Sequence, residues 1–339
     1  MPDLSAIARH ATEVFRDSGA ERRIREEGYT RVDPLQIASY QGIMVIRRPL
    51  EKLLGAFLRE TTPGIIVTSE RSSGLTHLTC AHELGHYFLG HESTTDDKIM
   101  YGAEAALHER EADWFAYCLL FSRATLAYTM KRKCWSVAAL QDPINLYQLS
   151  LRLGVSYQAA AWNLVRLKLL SETNAQKMAR TTPASIKRAI LNKAPLGGPA
   201  DVWLLDEHDR ESILEPSIHD QIVFRLPNHA SSGYLWSLPE VEDEGFQIKP
   251  FDRMTDVAEG NPLGTVNSMT TDHLLVSGHR DWEHLTGHPL RLALGEQRPW
   301  EIGHPQDPSM RVALCFEEAG NGLSAGSKRL LLQDGAATA

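Results

Sequence analysis

The sequence predicts a multidomain protein, in which a mainly helical α+β domain with a small sheet and a helix-turn-helix-like segment precedes an all-β sandwich. Two observations carry this prediction. Apolar residues follow helical periodicity over most of the first 191 residues, with a few β-type runs between residues 43 and 67. After Pro195–Pro199, short apolar runs separated by turn residues replace that pattern. The predicted domains are residues 1–135, 136–194 and 200–339.

Composition and charge limit the function classes. Hydrophobic residues make up 42% of the chain and charged residues 23%, as in ordinary globular proteins. The net charge of −8 argues against a protein that coats nucleic acid. No apolar run reaches the length of a membrane span, and the N-terminus lacks the apolar core of a signal peptide. With four scattered cysteines that we expect to be reduced, the sequence predicts a cytoplasmic protein without a membrane partner.

The first elements are charged helices and short strands. Leu4–Glu27 is an amphipathic segment that forms one helix or two. Asp33 and Pro34 are typical of a helix start, as N-cap and first helical residue, and we expect this helix to end near Gly42. Three runs rich in apolar and β-branched residues then predict a small sheet: residues 43–46, 54–58 and 64–67.

A helix predicted over Leu75–Leu89 carries the main chemical motif of the chain. His82 and His86 are four residues apart, so both project from one face of that helix. Two imidazoles at this spacing can bind one Zn²⁺, and Glu83 lies where a general base would flank the metal. The motif also arises by chance in roughly a few per cent of chains of this length, so the third ligand decides its meaning.

Motifs of this kind have two sources for a third ligand. The extended motif requires a glycine and a histidine at the positions that Leu89 and Glu92 occupy, so it does not apply here. The other source is a glutamate on a second helix, and residues 104–120 have helical spacing of apolar residues. Glu109 in that helix could complete a His₂Glu site and leave the fourth position to water.

Residues near the proposed ligands could support a ligand through a hydrogen bond or could bind the metal instead of it. Asp113 lies on the same helix face as Glu109 and could accept the free N–H of a ligand histidine. The alternative is an acidic helix face in solvent. Glu111 is the rival third ligand, but helical geometry directs it away from that face, and we expect it to face solvent. Cys80 is two residues before His82 and is expected to be a buried thiol rather than a ligand.

Three stretches together resemble the ImmA/IrrE family of zinc metallopeptidases. A short strand, an HExxH helix and a second helix with Glu-x-x-Ala-Asp follow one another in the same order as in that family. The family usually ends the second helix with Leu-Leu-Met-Pro, whereas this chain has Leu119–Ser122. The matching stretches are residues 62–67, 78–91 and 109–120, and the resemblance extends over roughly residues 30–170.

The resemblance implies a zincin-like metallopeptidase domain with Zn²⁺ as its cofactor. The ligands of the family carry over to His82, His86 and Glu109, and its catalytic glutamate to Glu83. The resemblance also implies a protein substrate, a helix-turn-helix transcriptional repressor whose cleavage would derepress genes. Proteases of this kind commonly bind an extended substrate along an edge strand, although the edge here could equally be an ordinary one.

Residues 147–167 have the outline of a helix-turn-helix, with Gly154 in the turn and Ser156 as the N-cap of the second helix. As a DNA reader, the second helix offers chiefly Arg166 and Lys168, in an acidic chain. In the resembled family this segment is a helical pair that packs against the peptidase core. We favour that role and expect no direct nucleic-acid partner.

Beyond residue 199, seven short runs predict the strands of a β-sandwich. Residues 220–236 and 298–301 resemble two loops of the chagasin-type inhibitors of papain-like cysteine peptidases, which implies an immunoglobulin-like fold. The third, glycine-rich loop of that family has only a poor match at residues 260–264. The predicted strands are residues 202–205, 221–226, 234–238, 246–248, 272–276, 290–294 and 310–316.

Two aromatic residues of these loops are candidate binding residues. We expect Tyr234 and Trp300 to contact a protein partner, because large aromatic side chains are frequent interface anchors. Trp236 is either another anchor or a core residue. The sequence therefore predicts an intracellular zinc endopeptidase with a C-terminal recognition domain. The competing hypothesis is a non-proteolytic zinc-binding transcriptional regulator or protein-interaction module, and the intact Glu83 counts against it.

Overall fold

A computed structural model describes the chain in two compact units. The first comprises residues 1–131, 136–179 and 318–339, and the second comprises residues 132–135 and 180–317. Within the described ranges, no helix is long and apolar enough to cross a membrane. The described residues are 3–51, 53–92, 103–191, 200–237, 246–251, 270–277, 287, 289–298, 300, 310–317 and 320–337.

Among the described residues, the first unit is mainly helical and the second consists mainly of strands. The helices are α1 Leu4–Asp17, α2 Ala20–Arg25, α3 Pro34–Tyr40, α4 Ser73–Phe88, α5 Ala103–Leu120, α6 Arg123–Arg132, α7 Pro143–Leu153, α8 Tyr157–Arg166, α9 Glu172–Ala179, α10 Pro183–Leu191 and α11 Ala325–Ala337. The strands are β1 Met44–Arg48, β2 Gly55–Leu58, β3 Gly64–Thr68, β4 Val202–Leu205, β5 Ile213–Leu214, β6 Gln221–Pro227, β7 Leu235–Ser237, β8 Phe246–Phe251, β9 Thr270–Ser277, β10 Leu290–Gln297, β11 Met310–Leu314 and β12 Gly322–Leu323.

Capping residues set the first helix boundaries. The Asp3 carboxylate accepts the N–H groups of Ser5 and Ala6 at the start of α1. Gly19 has a left-handed φ of 76°, which suits glycine and separates α1 from α2, so the charged segment forms two helices. Asp33 caps α3 as expected, by accepting the N–H of Leu35 at 2.9 Å.

The small sheet of the first unit has the strand order β12–β1–β3–β2. β1 and β3 are parallel, and β2 pairs antiparallel with β3. Apolar side chains of these strands are fully buried, among them Val45, Phe57 and Ile65. β2 and β3 contact α4, so this sheet supports the helix that carries His82 and His86.

The last segment of the chain belongs to the first unit. β12 pairs antiparallel with β1, through Ile46 and Leu323, and α11 contacts both α3 and β1. The Ser327 hydroxyl accepts the Val45 N–H at 2.7 Å. One side of β1 is thereby covered by residues more than 270 positions later in the sequence, a return that the predicted division at residue 200 does not include.

The predicted helix-turn-helix outline is present in α7 and α8. Gly154 ends α7 in a left-handed conformation, and the Ser156 hydroxyl accepts the Ala159 N–H at 3.2 Å. The turn lies against α4, because a Cβ on Gly74 would be 2.9 Å from the Val155 carbonyl carbon. Lys168 lies beyond α8 with a positive φ of 60°, so it is not on the second helix.

Within its described residues, the second unit contains two four-stranded sheets, with orders β4–β6–β9–β8 and β5–β11–β10–β7. All seven predicted runs contain a strand, and β5 is an additional one. The pairs β4–β6 and β5–β11 are parallel, which differs from the antiparallel pairing of an immunoglobulin sandwich. An immunoglobulin-like arrangement therefore stays a prediction. The predicted break at 195–199 and the weak third loop at 260–264 lie outside the described residues.

Candidate metal centre

The two helices that carry the predicted ligands cross closely. At the crossing, a Cβ on Gly85 of α4 would be only 2.9 Å from the Cα of Ala112 on α5. A glycine opposite an alanine allows the two backbones to approach, which places α4 side chains beside those of α5. The side chains of the candidate ligands extend from the turns next to this contact.

The structure brings the three predicted ligands together. His82 Nε2 lies 3.1 Å from His86 Nε2 and 3.1 Å from Glu109 Oε2, and His86 Nε2 lies 3.5 Å from Glu109 Oε1. One atom from each residue falls within 4.8 Å of the others, which is the spacing a shared metal ion requires. Two imidazoles and one carboxylate are the donor set of many catalytic zinc sites.

Hydrogen bonds, burial and neighbouring charges shift the pKa values of the three candidate ligands. Burial alone would lower the pKa of His82, but hydrogen bonds with Asp113 and Glu109 outweigh burial and raise that pKa to about 10. Burial, followed by the charge of His82, lowers the pKa of His86 to about 4. The hydrogen bond with His82 lowers the pKa of Glu109. Because a metal ion binds the unprotonated imidazole, metal binding would compete with protonation of His82.

Glu83 is a buried carboxylate next to the ligands. Its exposed fraction is 5%, and its Oε2 atom accepts no hydrogen bond within the described residues. Burial raises the pKa of Glu83 to about 7. A buried carboxylate oxygen without a donor is costly, and a water held by a neighbouring metal ion would supply the missing donor. Glu83 and the donor set thus fit a metal ion with a bound water.

Asp113 lies where the helical spacing predicts. Its carboxylate accepts the Nδ1–H of His82 at 2.9 Å. Such an acceptor fixes which ring nitrogen carries the proton and leaves Nε2 free for a metal. The acidic helix face is therefore engaged with a ligand histidine.

Two residues beside the candidate ligands make contacts that the sequence analysis did not predict. His91 Nδ1 lies 3.0 Å from His86 Nδ1, and His91 Nε2 lies 3.2 Å from Glu111 Oε2. The expectation that Glu111 faces solvent is wrong, because its side chain is only 20% exposed and is directed at His91. One feature of the sequence could have indicated the position of His91: it directly follows Gly90. Gly90 has a φ of 76° and turns the chain back toward the helix.

Arg166, the main positive charge of α8, is engaged with the end of α5. It donates to the carbonyls of Tyr117 at 3.2 Å and Phe121 at 2.9 Å, and its guanidinium lies 5.0 Å from the Trp114 ring centre. The adjacent cavity of about 760 Å³ is bordered by Asp113 and by Trp162 of α8. These contacts support a packing role for α8.

The two predicted recognition loops meet in the second unit. The Trp300 ring lies against Gly233, where any Cβ would overlap it, and 67% of Trp300 is exposed. The Arg298 guanidinium is 4.4 Å from the centre of the Tyr234 ring. Trp236 is half-buried and donates its indole N–H to the Pro227 carbonyl at 2.8 Å, so it has a structural role.

Comparisons with known proteins identify one domain. A family model described as IrrE N-terminal-like domain, Peptidase_M78, matches residues 38–165. No curated protein matches the chain. A cysteine protease inhibitor from Entamoeba histolytica is 20% identical and covers 36% of this chain and 100% of its own, with a TM-score of 0.22. A transcriptional regulator from Mycobacterium tuberculosis is 13% identical and covers 81% of each chain, with a TM-score of 0.28.

The matched stretch contains every residue of the candidate metal centre. It begins in α3 and ends in α8, and it therefore includes α4, α5 and the small sheet apart from β12. The match indicates a peptidase, and hence a hydrolase, of a metallopeptidase family. It confirms the resemblance to ImmA/IrrE, because residues 38–165 match the IrrE N-terminal-like domain model of the Peptidase_M78 family.

Proposed function

We propose that this chain is an intracellular zinc endopeptidase. One observation carries the proposal: the buried Glu83 carboxylate, whose Oε2 has no hydrogen-bond donor among the described residues, lies beside the cluster of His82, His86 and Glu109. A purely structural metal site needs no such base. This distinguishes the endopeptidase from its runner-up, a zinc-binding regulator without proteolytic activity.

The residues of the site have separate roles in the proposed reaction. His82, His86 and Glu109 would hold Zn²⁺, which supplies Lewis acidity and lowers the pKa of bound water. Glu83 accepts a proton from the attacking water and later donates it to the amine that leaves. Asp113 holds the proton on His82 Nδ1 and keeps the ring in orientation.

The proposed substrate is a helix-turn-helix transcriptional repressor, so the chain would act in transcription regulation. The ImmA/IrrE resemblance supports this choice. The engagement of Arg166 with α5 supports a protein substrate over DNA as the direct partner. The four cysteines, all described, form no disulfide, which fits the proposed cytoplasmic location.

The second unit is proposed to recognise the substrate protein. Tyr234 and Trp300 lie on loops that meet, and Trp300 presents most of its ring surface to solvent. Exposed aromatic side chains on a supported loop are suited to bury area in an interface at a small entropic cost. An immunoglobulin-like arrangement of the two sheets belongs to the same proposal.

Glu83→Gln tests the catalytic role. The variant should keep about one zinc per chain, because the ligands are intact. It should lose about 100- to 10,000-fold in hydrolysis of a repressor encoded beside this chain, because the amide cannot accept the proton of water. His82→Ala should lose the metal as well as activity.

Metal content is measured by atomic emission and cleavage by mass spectrometry. Glu70→Gln, at an exposed glutamate, is the matched control and should behave as the wild type. Undiminished cleavage by the Glu83→Gln chain would rule out the proposed base.

A further inference from the structure

We propose that His91 and Glu111 are positioning residues for His86: a histidine–carboxylate pair that fixes the ring orientation and the protonated nitrogen of this metal ligand. The inference rests on the proposed metal site, since it assigns a role toward a metal held by His86. It adds two residues that neither the HExxH motif nor the second-helix motif contains.

The proton positions follow from the distances. The two Nδ1 atoms of His86 and His91 are 3.0 Å apart, so one of them must carry a hydrogen and the other must accept it. A neutral histidine that binds a metal through Nε2 carries its proton on Nδ1. His86 must then be the donor, and His91 must accept through an unprotonated Nδ1.

The same reasoning continues to Glu111. A neutral His91 with an unprotonated Nδ1 carries its hydrogen on Nε2. This Nε2 lies 3.2 Å from Glu111 Oε2, which can accept the hydrogen. The carboxylate therefore selects the tautomer of His91, and His91 in turn selects that of His86. With the opposite tautomers, two N–H groups would meet or the Glu111 oxygen would face a lone pair.

The chain holds His91 firmly in this place. Only 6% of its surface is exposed, and its backbone N–H donates to the His86 carbonyl at 2.9 Å. The Arg59 guanidinium donates to the His91 carbonyl at 2.9 Å and to the Tyr87 carbonyl at 2.8 Å. The ring of His108 stacks on that of His91, with centroids 4.2 Å apart. A rigid acceptor is what a positioning role requires.

Helix α5 thereby supplies carboxylates for both ligand histidines. Glu109 is the third ligand, Asp113 accepts directly from His82, and Glu111 acts on His86 through His91. His82 thus contacts its supporting carboxylate directly, whereas His86 reaches its own through one intervening histidine. This arrangement explains why Glu111 is turned inward although Glu109 and Asp113 define the ligand face.

A second metal site at His91, His108 and Glu111 is the competing reading, since these residues also offer ligand atoms within 4.8 Å of one another. The orientation of the rings disfavours it. The His91 and His108 rings are nearly parallel, with 15° between their planes, whereas two imidazoles on one tetrahedral ion direct their lone pairs to a common point. Under the proposal, the Nε2 of His91 carries a proton and is not available to a second ion. One metal ion per chain is therefore expected.

The test measures the zinc dissociation constant of the full chain by chelator competition. His91→Ala and Glu111→Ala should weaken zinc binding by about 10- to 100-fold, the usual effect of removing such a partner. His91→Asn should bind within a few-fold of the wild type, because the amide oxygen takes the place of the Nδ1 acceptor. Glu70→Ala, at an exposed glutamate outside both clusters, is the matched control and should also bind within a few-fold.

A spectroscopic readout separates positioning from general stability. In the zinc-loaded wild type, ¹⁵N shifts should show His86 protonated at Nδ1 and His91 at Nε2. In the zinc-free chain, Glu111→Ala should weaken the preference of His91 for the Nε2–H tautomer, which a merely structural loss would not do.

Three results would overturn the proposal: unchanged zinc affinity in both His91→Ala and Glu111→Ala, the opposite tautomers, or a second zinc that His108→Ala removes. None of these results would change the expected outcome of the Glu83→Gln experiment, so the two proposals can fail separately. If instead the wild-type chain binds no zinc, the proposed function fails together with this inference.

Discussion

The position of the Trp300 ring depends on Gly233, the residue beneath it. Gly233 has a φ of 82° and no side chain, and both properties are needed, because a Cβ would overlap the indole. The ring is therefore supported on one face and exposed on the other. A side chain held in this way loses little rotamer freedom when a partner covers it.

Trp300→Ala is accordingly expected to weaken substrate binding by about 2 kcal/mol or more, or about 30-fold at 25 °C. The Glu83→Gln chain is the background of choice, because it should bind a repressor without cutting it. Calorimetric titration gives the dissociation constant. Leu332→Ala, at an exposed apolar residue of the other unit, is the control. Equal affinity in the Trp300→Ala chain would exclude Trp300 as an anchor.

The residues of the metal centre that lie on a helix, four positions from another site residue, could be predicted from the sequence. His82, His86, Glu109 and Asp113 follow from i, i+4 spacing on two helices. His91 does not, because it lies beyond the end of α4 and its place depends on the turn at Gly90. Glu111 then appears to be on the wrong helix face, since nothing in the periodicity shows that a histidine from another segment meets it.

At the scale of elements, the separation of α4 and α5 controls the metal centre. Gly85→Ala gains about 1 kcal/mol of helix propensity. The added Cβ, however, would be 2.9 Å from the Cα and 3.0 Å from the carbonyl oxygen of Ala112. Neither backbone atom can move alone, so the helices must separate, and overpacking of this kind costs about 1–3 kcal/mol. The net stability change is small, but the ligands are pulled apart.

We therefore expect Gly85→Ala to lose more metal affinity than stability. Zinc binding should weaken at least about 10-fold, while the free energy of unfolding in urea falls by no more than about 2 kcal/mol. Gly64→Ala is the matched control, because its Cβ would meet only the Met44 carbonyl at an ordinary 3.8 Å. Wild-type zinc affinity in Gly85→Ala would show that the crossing does not set the ligand geometry.

The existence of the elements was predictable, but their pairing was not. Local periodicity shows each strand of the second unit, because apolar runs and turn residues are local signals. The parallel pairs β4–β6 and β5–β11 depend on contacts between distant segments. β5 has only two residues, too few to show any period.

For the whole molecule, the important feature is that the first unit is completed by the end of the chain. β12 and α11 cover one side of β1, and the Ser327 hydroxyl bonds the Val45 backbone. The sequence gives no sign of this return, because a two-residue strand and a short helix do not reveal which core they join. Without this segment, β1 would be an exposed edge strand.

A chain that is truncated after residue 199 should therefore be less stable than the first unit of the full-length protein, even though it keeps every residue of the candidate metal centre. Losing the Ser327 bond and the β12 pairing should lower the stability of the first unit by about 3 kcal/mol, and its Tm by about 6 °C or more. A synthetic peptide of residues 318–339 should restore part of that loss.

By contrast, full-length protein cleaved at a protease site inserted near residue 195 should elute as one species, since its C-terminal piece still carries β12 and α11. Scanning calorimetry and size-exclusion chromatography measure the two effects. A truncated chain that melts like the first unit of the intact protein would mean that the returning segment adds nothing to that unit.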